Sequence, residues 1–251
     1  MDEEGKAPFT AHLEELRKRL IICFIAVGIG FAASYGFKEK LFQILVQPLL
    51  RVMEKGDTLI FTGLPEAFFT YLKVAFLAGL MLAAPIIIYE FWMFVAPGLY
   101  DREKRLLIPI VFLSSFFFVG GSLFGYFIVF PWGFKFFLGF ANEHIRALPA
   151  MKEYLGFSAK LLLAFGLVFE LPLVVTFLAK LGVVSVDFLK KNRKYALLLF
   201  FAGAAILTPP DVVTQIMMAL PLMLLYEISI LGARIFGRKK VESEADAPKP
   251  S

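Results

Sequence analysis

The chain has 251 residues, of which 59% are apolar and 16% aromatic, and its mean hydropathy of +0.75 exceeds what a soluble domain needs for its core, so it belongs in a membrane. The net charge of +5 is carried in short clusters without interleaved aromatics, which excludes a nucleic-acid surface. One cysteine, Cys23, and two histidines, His12 and His144, are too few for a disulfide framework, a metal centre or a Cys/His nucleophile pair; no enzyme chemistry, metal or cofactor is expected.

Apolar runs between about residues 20 and 233 leave room for one all-α integral membrane domain, 1–233, with a polar, disordered tail over 234–251. Asp2, Glu3 and Glu4 open the chain, and no small-residue cleavage site follows the first apolar run, so that run is read as retained. A hydrocarbon layer about 30 Å thick needs about 20 helical residues, and the runs predict six spans at about 20–36, 68–95, 106–130, 156–179, 195–208 and 212–232. The second span is broken by Pro85. The apolar cores of the fifth and sixth cover only about 20 Å each, so these helices are short and thin the bilayer or reach out with their flanks.

The segment "TAHLEELRKRL" at 10–20 precedes the first span. Leu13, Leu16 and Leu20 fall on one helical face and Thr10 can cap, which predicts a helix lying in the interface before it turns in. Glu14 with Lys18 and Glu15 with Arg19 are spaced i, i+4 in the favourable order, and the plain reading is two self-paired salt bridges worth about 0.3 kcal/mol each. In "EFWMFVAPGLYDREKR" at 90–105 the aromatics mark the interface and Pro97–Gly98 ends the helix. Asp101 and Glu103 stand there among Arg102, Lys104 and Arg105; either they neutralise their neighbours or they receive a guanidinium in a bidentate pair.

Glu170 is the one charge in "LLLAFGLVFELPLVVTFLA" at 161–179. An ionised carboxylate deep in a bilayer costs ~3 kcal/mol or more, so Glu170 should face protein or water, with Gly166 one turn away allowing a close neighbour. Between the two short helices, "LTPPDVVTQ" at 207–215 supplies Pro209 and Pro210 to stop one helix and Asp211 to cap the next. Thr208, Thr214 and Gln215 are left as a polar group suited to a partner helix or to water.

Sixteen Lys and Arg residues fall on the side of the two termini, namely Lys6, Arg17, Lys18, Arg19, Arg102, Lys104, Arg105, Lys190, Lys191, Arg193, Lys194, Arg234, Arg238, Lys239, Lys240 and Lys249. Seven fall on the other side: Lys38, Lys40, Arg51, Lys55, Lys135, Arg146 and Lys152. That bias puts both termini in the cytoplasm.

"HLEELRKRL" at 12–20, "FWMFVAPGLYDREKR" at 91–105, "AFGLVFELP" at 164–172, "LTPPDVVTQ" at 207–215 and "LLYEISI" at 224–230 together resemble TatC, the family of six-span core subunits of the bacterial twin-arginine protein translocase. The resemblance runs over nearly the whole chain, in order, without a departure in the five blocks. It implies a curved, glove-like wall of six helices in the bacterial inner membrane. It further implies a receptor for signal peptides with paired arginines, working in an oligomeric complex with the single-span partners TatA and TatB to pass folded proteins across the membrane, driven by the proton-motive force. Carried over by position, Glu15, Arg17, Arg19, Phe94 and Glu103 form the signal-binding site, Glu103 being the primary carboxylate and Arg17 and Arg19 holding its geometry. Glu170 lies on the concave face, Thr208, Asp211 and Gln215 meet partner helices on the outer side, and Pro48 and Phe68 belong to the outer cap.

The alternative from another class is a proton-coupled small-solute transporter with Glu170 as its relay, but the repeat symmetry and matched broken helices common in such proteins are missing. HExxH is absent, which removes the zinc-dependent intramembrane hydrolase.

Overall fold

The computed structural model describes residues 6–54, 57–95, 107–142, 144, 146–207 and 212–237. Glu103, Thr208, Asp211 and most of the tail lie outside the described residues. Among those described there are helices and no strand, apart from an isolated bridge between Ile60 and Ala150; a helix satisfies its own backbone in hydrocarbon, where water cannot.

In chain order the helices are α1 (Lys6–Tyr35), α2 (Lys38–Leu50), α3 (Glu66–Val95), α4 (Leu107–Phe124), a π turn (Gly125–Val129), α5 (Phe130–Leu138), α6 (Met151–Phe169), α7 (Leu171–Lys180), α8 (Val186–Lys191), α9 (Arg193–Leu207) and α10 (Val212–Phe236). Glu66–Val95, Ile108–Leu138, Met151–Lys180 and Val212–Phe236 are each long and apolar enough to cross a bilayer. The first span passes the same test together with α2, from which it is bent by 89°. The fifth, α9, has 15 residues, about 22 Å at 1.5 Å per residue. The chain starts at one end of this set, the N-side; α2 and the long loops lie at the other, the far side.

Two local expectations change. The segment 10–20 does not lie flat and then turn: α1 runs unbroken from Lys6 to Tyr35 with Thr10 inside it, because nothing between the charged stretch and the apolar run interrupts the helical ladder and extending a formed helix is easier than starting another. Pro85 does not break the second span either; α3 continues through it, as proline is tolerated where neighbouring helices and local adjustments take up the freed backbone groups.

The helices form an open row rather than a closed bundle. α1 packs along α3, α3 on α4, α4 on α6, α7 on α10, and α10 on α9. The α1–α3 contact is set by glycine: a Cβ built on Gly30 would come within 2.5 Å of the Gly79 carbonyl oxygen, so the two backbones touch, as packing in lipid favours. The resulting wall carries a groove at its middle, described below.

On the far side α2 is pinned by side chains from the rest of the wall. Pro48, buried within α2, has no N–H to offer the carbonyl of Ile44 one turn back. The Tyr126 hydroxyl, carried by the π turn, donates to that carbonyl, and the buried Tyr154 hydroxyl donates to the next one, Leu45. Glu66 ties the loops together: its carboxylate accepts from Thr62 N at 2.8 Å, Gly63 N at 3.2 Å and Lys152 N at 3.0 Å. The backbone bonds Ile60 N to Pro149 O and Met151 N to Ile60 O, with the Arg146–Asp57 ion pair, complete the seam.

If Tyr126 replaces the donor that Pro48 lacks, the two substitutions are coupled. Tyr126→Phe is expected to lower the unfolding stability of the detergent-solubilised protein by about 1 kcal/mol. In a Pro48→Ala background, where the substituted residue brings an N–H within reach of Ile44 O, the loss should be clearly smaller; equal losses in thermal melts of the two backgrounds would refute the pairing.

Candidate functional site

The N-side end of α1 and α3 gathers the charges that the sequence singled out. Both i, i+4 pairs form, Lys18 Nζ with Glu14 at 2.9 Å and Arg19 with Glu15 at 2.6 Å. The first pair is exposed on both sides and contributes little. Arg19 does more, because Nε and Nη2 both donate to Oε1 of Glu15 while Nη1 donates to Oε2 of Glu90 on α3, at 2.9 Å. The Glu90 side chain is only 8% exposed, against 19% for Arg19 and 30% for Glu15. Burial on this scale screens the pair less than open solvent does, so the contact fastens the start of the membrane run of α1 to the end of α3.

Phe94, one turn beyond Glu90, stacks on the His12 ring with centroids 4.3 Å apart and planes at 18°. His12 Nδ1 in turn lies 4.0 Å from Oε2 of Glu15. Glu15, Arg19 and Phe94 are therefore brought into one cluster, together with His12 and Glu90, which sequence reasoning passed over. Arg17 is exposed on α1, outside these contacts. Leu13 and Leu20 are each nearly half exposed, leaving an apolar edge beside the charges. Glu90 could have been noticed as a carboxylate near the end of a long apolar helix, but nothing in the sequence shows that it faces α1.

Glu170 caps the break between α6 and α7, its N–H reaching back to Leu167 O at 3.1 Å. It stands at the base of a groove of about 480 Å³ between α3, α4, α6 and α7, lined by Leu80, Ala84, Ile88, Phe91, Trp92 and Phe118. The walls are apolar, and the polar groups at hand are few. Ser114, fully buried, accepts from Trp92 Nε1 at 3.0 Å and acts on the Glu170 carboxyl with its hydroxyl. Glu170 Oε1 is buried with no hydrogen-bond partner among the described residues. A buried acceptor without a partner is costly where it stands, which marks Glu170 as the polar point of an apolar groove.

Glu90 and Trp92 sit two residues apart on α3, about 200° round the helix. The charged cluster on α1 and the Trp92–Ser114–Glu170 set thus lie on opposite faces of the same turn, close along the axis but separated by the helix.

On the far side, Gln215 Nε2 donates to the Phe201 carbonyl of α9 at 2.8 Å, so this amide joins the two last helices. Thr214 beside it is buried. Pro48 is buried within α2, whereas Phe68 is 56% exposed. Gln215 thus belongs to the α9–α10 contact, Pro48 to α2 and Phe68 to the first turn of α3. No group of His, Cys, Asp and Glu suited to a metal ion occurs among the described residues.

The family model described as "Sec-independent protein translocase protein (TatC)" matches residues 11–221. The Sec-independent protein translocase protein TatC of Desulforapulum autotrophicum is 67% identical over 249 residues, covering 99% of this chain and 92% of that protein. The protein of the same name from Escherichia coli is 38% identical over 245 residues, covering 96% and 95%. A crystal structure described as the twin-arginine translocase receptor TatC superimposes with a TM-score of 0.81 at 41% identity, over 90% of this chain and all of that one, and carries the same all-helical membrane architecture.

Proposed function

The chain belongs to the TatC family of Sec-independent protein translocase proteins, a multi-pass membrane component of a translocase, and from that footing we propose that it is the subunit that binds twin-arginine signal peptides. The observation that carries the proposal is the N-side cluster, where Glu15, Arg19 and Glu90 meet beside Phe94 and an exposed leucine edge. Paired arginines followed by an apolar stretch need fixed carboxylates beside apolar surface, and a guanidinium engages a carboxylate in a planar, two-point geometry that an ammonium cannot match. Glu103, which follows α3 in the sequence, supplies the primary carboxylate, Glu15 the second, and Arg17 and Arg19 keep the geometry. Both termini and this site face the cytoplasm of a bacterial cell, in keeping with the sixteen-to-seven distribution of Lys and Arg.

The signal's apolar stretch then passes into the wall toward Glu170. Single-span partners of the TatA and TatB type dock along the outer ends of α9 and α10, beside Thr208, Asp211 and Gln215, and near the cap that contains Pro48 and Phe68. The oligomeric complex moves folded proteins across the inner membrane, driven by the proton-motive force, without catalysis by this chain.

Expression of the chain in a bacterium deleted for its own TatC tests this directly. Export of a folded reporter bearing a twin-arginine signal should return, and a twin-lysine version of the same reporter should be exported at least about tenfold less. A chain that inserts normally yet restores neither, or that exports both alike, would refute the proposal.

A further inference from the structure

The pairing of Glu15 with Arg19 raises a difficulty for recognition by Glu15, since a carboxylate neutralised by an arginine of its own helix has little charge left for a second one. Glu90 removes it. Arg19 is shared between two carboxylates, with Nη1 on Glu90 and the remaining contacts on Oε1 of Glu15, so the cluster holds two negative charges against one positive. Oε2 of Glu15 is not engaged by Arg19, and its neighbour His12 Nδ1 lies at 4.0 Å, beyond hydrogen-bond length. Glu14 is occupied by Lys18.

We propose that Glu90 is a third carboxylate of the recognition site, a positioning residue that neutralises Arg19 and thereby leaves Glu15 the net charge with which to bind a signal guanidinium. The inference rests on the reading of Glu15 as a recognition carboxylate. Its burial suits this role: at 8% exposure Glu90 is poorly placed to meet a peptide itself but well placed to hold Arg19 against α3. Specificity follows from the same arrangement. The cluster already accommodates one planar guanidinium between two carboxylates, so a second is received by an oxygen whose orientation is fixed.

The test is the affinity of the purified full-length protein in nanodiscs for a fluorescent twin-arginine signal peptide. Glu90→Gln, which keeps shape and removes the charge, should weaken binding about tenfold. Adding Arg19→Gln to Glu90→Gln should recover binding at least about threefold over Glu90→Gln alone, since removing Arg19 returns to Glu15 the charge that Glu90 had released, even though the geometry Arg19 keeps is lost. Glu90→Asp should bind like the parent. A double variant as weak as Glu90→Gln would show that Glu90 acts through packing alone and would overturn the inference. Parent-like binding by Glu90→Gln, with binding lost in Glu15→Gln, would overturn it while leaving the recognition site standing. Parent-like binding by Glu15→Gln would remove the recognition site and this inference together. Should Glu90→Gln alone fail to insert, the double variant decides: binding as weak as that of Glu15→Gln refutes the charge argument.

Discussion

Glu103→Gln is expected to abolish crosslinking of a twin-arginine signal to this subunit while leaving its membrane insertion intact. The substitution keeps the size and the polar contour of the side chain but removes the charge, and with it the charge-assisted pair to a guanidinium, a loss of ~1.5–3 kcal/mol or about 10- to 150-fold in affinity. Insertion depends on the hydropathy of the spans and on the Lys and Arg of the loops, neither of which changes. A photoreactive signal peptide added to membranes containing the variant gives the readout. Crosslinking at the parent's level would end the assignment of Glu103 as the primary carboxylate.

Glu170→Ala should impair transport by about tenfold or more while leaving signal crosslinking at the N-side within about twofold of the parent. The separation follows from α3: Glu90 and Trp92 face opposite ways, so the Trp92–Ser114–Glu170 set can be emptied without touching Arg19 or Glu15. What is lost is the one carboxyl that lines an otherwise apolar groove. Glu170→Gln, which retains an acceptor, should recover part of the transport. Transport assays and crosslinking on the same membranes check the pair, and an equal fall in both would show that Glu170 belongs to the recognition step.

Glu170 also shows how far the sequence could be read. As the single charge in nineteen apolar residues it announces a polar point in the wall, because an isolated carboxylate in hydrocarbon is costly wherever its neighbours are. That Ser114 and Trp92 are those neighbours was not legible, for both look like ordinary occupants of an apolar helix and an interfacial belt. Arg19 is a second case. Its spacing from Glu15 is local and predicts the pair that forms; its bond to Glu90, 71 positions away, depends on the face that α3 turns toward α1, which the contact between Gly30 and Gly79 fixes. Pro48 is a third, since a proline announces a freed carbonyl but not the Tyr126 hydroxyl that takes it.

Membrane class, the all-helical architecture and the family could all be read from the chain alone, because composition, apolar runs and five contiguous blocks are properties of neighbouring residues. The same local reading erred where a signal was overruled by continuity, in the interfacial helix that α1 absorbs and the break at Pro85 that α3 bridges. It took the folded chain to show that Glu90 completes the charge cluster, that His12 packs on Phe94, and that Gln215 joins α9 to α10. Each of these is a contact between two different helices. Which side chains meet there is set by how the helices are rotated about their axes, and in a membrane, where every face is apolar, hydropathy carries no information about that rotation.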